Sequence, residues 1–155
     1  VRMKQVYRFM IMALAATLVT ACSGGDNEEA RLERTRILMN EELDPATDGI
    51  WLHSGWELTE EGERSLFPET DEEWADVAAA ADEVIAVTRK LQSDEYSGGD
   101  EEWVAIAESL VVFAGEAKEA AIAHDKEGVF ESGGDIYRVC RACHQRYSPG
   151  MRQDG

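Results

Sequence analysis

The stretch Val139-Cys140-Arg141-Ala142-Cys143-His144-Gln145-Arg146-Tyr147, close to the C-terminal end of the 155 residues, decides how the rest is read. At about 100° per helical residue, Cys140, Cys143 and His144 fall on one face. Two thiols there can each form a thioether to a haem vinyl group while the imidazole reaches the iron from the same side. A His directly after the second Cys separates haem attachment from a plain dithiol pair. The spacing therefore points to one covalently bound haem c, with its iron, held by Cys140, Cys143 and His144.

Three other readings compete for these residues. A thioredoxin-like redox pair sits after a strand at the start of a helix, whereas the residues before Cys140 have helical character. A zinc site needs a fourth ligand. A structural disulfide suits an oxidising compartment but leaves His144 without a role.

The other end of the chain supplies that compartment. Arg2, Lys4 and Arg8 precede an apolar run from Phe9 to Val19, the composition of an export signal and too short for a span of about 20 apolar residues. The run ends at Leu18-Val-Thr-Ala-Cys22, which resembles the lipobox of bacterial lipoproteins. Residues 1–21 are thus expected to be a lipoprotein signal peptide, and Cys22 the lipidated residue anchoring the chain to the membrane. Ser23-Gly-Gly-Asp-Asn-Glu-Glu29 has the composition of a flexible tether, giving 22–29. Ser23 after the lipidated cysteine favours, by the same resemblance, the bacterial outer membrane, facing the periplasm.

All 32 acidic residues follow Cys22, whereas three of the 15 basic ones precede it, so the chain after the signal carries 12 − 32 = −20. Such a charge excludes nucleic acid as a partner, because the phosphate backbone repels it. It suits basic protein partners.

Helical spacing dominates the domain expected over 30–150, with 151–155 a tail. Glu28 to Leu43 sets Leu32, Arg36, Met39 and Leu43 near one face, and Asp44-Pro45 breaks or restarts the helix. Ile50 to Glu69 reads as a long packed connection without strands. Thr70 and Glu73 form a capping box ahead of a stripe of Trp74, Val77, Ala78, Ala81, Val84, Ile85 and Leu91. Ser97-Gly-Gly-Asp100 makes a turn, with Asp100 capping a helix that carries Trp103, Ile106, Ala107, Leu110, Val111, Ala114 and Ala121. Lys126-Glu-Gly128 makes a corner, and a last helix runs from about Val129 to Tyr147 until Ser148-Pro-Gly150 stops it. Four amphipathic segments with short later connections predict an all-α fold, an antiparallel four-helix bundle.

A single attachment motif at the end of an all-helical chain, written Gly133-Gly-Asp-Ile-Tyr-Arg-Val-Cys140-Arg-Ala-Cys143-His144-Gln-Arg-Tyr147, resembles the class II cytochromes c, the cytochrome c prime family. The resemblance implies a haem inside the bundle, His144 as proximal ligand, and an aromatic three residues after it, matched by Tyr147. It also implies that the first helix supplies the distal side, through Arg36 and Met39. Two departures stand out: Ser148 occupies a position that is commonly basic in the family, and the 49–69 segment is long.

Met39 is the leading distal iron ligand; only Met39 and Met151 remain after the signal. His53 and His124 are weaker ones. Arg36 is expected to pair with a haem propionate or with surface acids. Arg138, Arg141, Arg146 and Arg152 gather around the motif as a docking patch or as charge balance at a helix C-terminus. The expected function is one-electron transfer to periplasmic redox partner proteins. The alternative is a high-spin protein binding nitric oxide or carbon monoxide. No nucleophile, paired acids or phosphate loop argues for an enzyme. Dimerisation is common in the family, although no apolar stripe marks an interface apart from the core.

Overall fold

The computed structural model describes residues 23–148. The signal segment, Cys22, Met151 and Arg152 lie outside the described residues. The chain divides at Arg34, where a compact unit begins that holds everything described below; α1 (Ser23–Leu38) starts in the unit before it. The Ser23–Glu29 segment, expected to be a flexible tether, is helical.

Of the two outcomes expected at Asp44-Pro45, a break or a restart, the structure has the restart. The backbone passes through a π-helical segment, Met39–Leu43, in which the Asp44 N–H donates to the Met39 carbonyl. It continues directly into α2 (Asp44–Trp51) with Pro45 in the first turn. Proline has no N–H for the i−4 carbonyl and its ring crowds that carbonyl. Widening the turn before it keeps the chain helical, and such π turns frequently occur at functional sites.

The connection after α2 contains a hairpin that the sequence reading missed. Strands β1 (Trp56–Thr59) and β2 (Gly62–Ser65) pair antiparallel, Trp56 opposite Ser65 and Thr59 opposite Gly62. Gly62 takes φ +126° at the turn, a conformation natural only to glycine. The hairpin buries almost none of its side chains, Leu58 being 89% exposed, so it has no buried face for alternation to report. Trp56 fastens it through an edge contact with Phe67 and a tilted one with Phe130, 5.1 and 5.6 Å between centroids.

Three long helices carry the core. In α3 (Asp71–Leu91) the predicted capping box is present: the Glu73 N–H donates to Thr70 Oγ1 and the Thr70 N–H to Glu73 Oε2. The short α4 (Asp94–Ser97) leads to Gly98 and Gly99, both at positive φ. Then α5 (Glu101–Ile122) is capped by Asp100, whose Oδ1 accepts from the Glu102 and Trp103 N–H groups. Finally α6 (Lys126–Tyr147) begins earlier than expected, because Asp125 accepts from the Gly128 N–H and draws Lys126–Gly128 into the first turn. The corner falls instead at His124, with φ +53° and its ring stacked on Trp74.

The predicted stripes form the core. Trp74, Val77, Ala81, Val84 and Leu91 of α3 are buried with Trp103, Leu110, Ala114 and Ala121 of α5. Val129 and Ile136 of α6, Ile50 of α2, and Leu38 and Leu43 complete the same cluster. Helix α3 packs along α5, α5 along α6, and α2 against both α3 and α6. At the α2–α6 contact Gly133 is buried, and the Trp51 indole donates to its carbonyl at 3.0 Å. No helix among the described residues is long and apolar enough to cross a membrane.

Candidate haem site

Helical spacing alone brings Cys140, Cys143 and His144 to one face of α6, and tertiary packing decides what that face meets. All three are half-buried and line one cleft together with Met39 and Leu43 of the π segment, Leu91 of α3, and Trp103, Ile106, Ala107 and Leu110 of α5; Val139 completes it. Apart from the motif residues, every lining side chain is apolar or aromatic. Met39, placed by the sequence on the first helix, therefore shares a cleft with His144 through a fold contact that no local spacing could supply.

The other sequence candidates fall elsewhere. Arg36 is exposed and is not part of the cleft lining, so the structure does not bring it to Met39's cavity. His53 lies near Gly49, its Nδ1 3.0 Å from that carbonyl oxygen, and His124 stacks on Trp74; neither lines the cleft. Arg138 pairs with Asp135 and Arg146 with Glu102, so these two balance neighbouring acids, while Arg141 is exposed. Leu91, Trp103, Ile106, Ala107 and Leu110 were visible in the sequence as core stripe. What marks them as cleft lining is their position at the Cys140 end of the core, which only packing sets. Val139 carried no signal.

Burial pushes the Cys140 thiol up to about 11, with smaller contributions from Cys143 and Asp44. Burial raises Cys143 as well. Both groups are therefore thiols at neutral pH. A thioredoxin-type pair works through a lowered pKa, so the electrostatics run against that reading. Among the described residues no three His, Cys, Asp or Glu side chains are placed as a preformed metal-ligand group.

The fit to a haem can be judged from donor chemistry and space. Two thiols and an imidazole on one helix face, a thioether sulfur across an apolar cleft, and aromatic and aliphatic walls suit an iron porphyrin. The gap enclosed between these side chains is only about 30 Å³, roughly the room of one or two waters. Seating a porphyrin thus requires the walls to part. One of these walls is the π segment, which carries Met39 and Leu43.

Set against known proteins, the chain matches no family model, no curated protein and no solved structure.

Proposed function

We propose that this chain is an exported c-type cytochrome that carries one haem and passes single electrons between periplasmic proteins. The observation that carries this reading is the shared cleft: Cys140, Cys143 and His144 of α6 line it together with Met39. In this reading Cys140 and Cys143 would hold the group through thioethers, and His144 and Met39 would supply a nitrogen and a sulfur to its iron. When bound, the haem supplies a one-electron iron couple.

The chain's own work is to orient and to exclude water. Leu43, Leu91, Trp103, Ile106 and Leu110 keep the cleft apolar, which disfavours the more highly charged state of any buried redox centre. A Met opposite the His raises the potential relative to two nitrogen ligands. The long helices α3, α5 and α6, with the π segment and α2 as the fourth element, are proposed to act as a four-helix bundle around the cleft. Cys22 is proposed as the lipid anchor that keeps the domain at the membrane surface.

Two sets of variants test the reading. In protein produced with a cytochrome c maturation system, Cys140→Ala combined with Cys143→Ala should abolish covalent haem retention. Haem held equally well by the double variant overturns thioether attachment. Carbon monoxide added to the reduced wild type should bind slowly and incompletely, because Met39 competes for the iron. Fast, stoichiometric binding would favour the gas-binding alternative.

A further inference from the structure

The last turn of α6 carries His144 and ends at the protein surface. Terminal turns lack part of their hydrogen bonding and fray readily, so a ligand placed there needs fastening from outside its own helix. The fastening comes from the first turn of α5. Tyr147 donates from its hydroxyl to Asp100 Oδ2 at 3.1 Å. Its ring meets Trp103 edge-on, 5.0 Å between centroids at 67°. Arg146 Nε donates to Glu102 Oε2 at 3.2 Å, and its guanidinium carbon lies 5.1 Å from the centre of the Tyr147 ring.

Asp100 performs two tasks with one carboxylate. Oδ1 caps α5 by accepting from the Glu102 and Trp103 N–H groups, 2.9 and 3.1 Å, while Oδ2 holds Tyr147. Trp103 in turn donates from Nε1 to the Leu91 carbonyl at 2.7 Å, and both Trp103 and Leu91 line the cleft with His144. The end of α3, the start of α5 and the end of α6 are thereby joined around a single wall of the site.

We infer that Asp100 and Tyr147 are positioning residues for His144: they lock the last turn of α6 and so fix how the imidazole meets the iron. This inference rests on the haem reading above. Its chemistry is mechanical, since neither side chain is part of the cleft lining.

The test is a double-mutant cycle on the matured holoprotein. Tyr147→Phe keeps the ring against Trp103 and removes the hydroxyl. Asp100→Ser keeps an N-cap of nearly equal quality and cannot hold Tyr147. Each variant should retain one covalent haem per chain, while the reduction potential shifts in the same direction in both. Amide exchange over residues 144–148 should rise about five-fold, the loss of a single hydrogen bond worth about 1 kcal/mol. The double variant should do no more than either single one, because both remove the same contact. Unchanged potential and unchanged amide exchange in haem-loaded Tyr147→Phe and Asp100→Ser overturn the clamp while leaving the haem reading intact. Additive effects also overturn it, since they mean that the two side chains act separately. A wild type without haem overturns both, and differs from either of the other results by its missing pigment.

Discussion

Met39, the first residue of the π segment, lines the same apolar cleft as His144 of α6. Sequence places them at opposite ends of the domain; the fold brings them to one cavity. The segment's hydrogen bonding is also what Pro45 perturbs, so the proline that widens the turn sits within two turns of the proposed ligand.

Met39→Ala tests that relationship. If the sulfur ligates the iron, the ferric spectrum changes from low-spin towards high-spin and carbon monoxide binds the reduced protein quickly. A ferric spectrum identical to wild type removes Met39 as ligand.

Gly49 faces Ala80 across the α2–α3 contact, and an added Cβ would lie 2.6 Å from the Ala80 Cβ. Helix propensity alone favours Gly49→Ala by about 1 kcal/mol. Overpacking costs about 1–3 kcal/mol and should win, because both partners are on helices that cannot yield by rotating a side chain. Denaturant unfolding is expected to show a net loss of stability; a gain would mean that α2 shifts freely.

Ile136 is fully buried and lies one turn before Cys140 on α6. Ile136→Ala should cost about 2–5 kcal/mol through lost burial and the cavity left behind. Ile136→Val should cost about 0.5–1.5 kcal/mol. Thermal unfolding of the two variants checks the ratio.

The capping box gives a pH signature. The Glu69 and Thr70 N–H groups bind the Glu73 carboxylate and hold it below its ordinary 4.5. A depressed carboxylate pKa contributes stability that is complete above the unfolded value and is lost as pH falls through the folded one. Glu73→Gln should therefore lower the melting temperature at pH 7 and approach the wild-type value as pH falls below the ordinary 4.5 and through the lowered folded-state pKa. A gap that stays constant across this range would show that the charge of Glu73 has no part in it.

Features governed by local physics were legible before the fold was known. The stripes of α3 and α5 follow from helical periodicity, and the caps at Thr70 and Asp100 need only residues within one turn. The grouping of Cys140, Cys143 and His144 is likewise set inside one turn. Features that depend on distant contacts were not. Trp51 reaches the Gly133 carbonyl and Tyr147 reaches Asp100 across helices, and nothing in the spacing of either pair announces it. The hairpin escaped because its side chains are nearly all solvated, which erases the alternation that betrays a half-buried strand. The start of α6 was misplaced because Gly128 reads as a breaker, whereas its N–H is the group Asp125 caps.

The central claim is covalent haem on α6, and a pyridine haemochrome spectrum of full-length protein matured in the periplasm tests it most directly. One haem per chain, with both vinyl groups consumed and the pigment resistant to acid-acetone, is the predicted result. Colourless protein, or pigment that passes entirely into the acid-acetone layer, contradicts it.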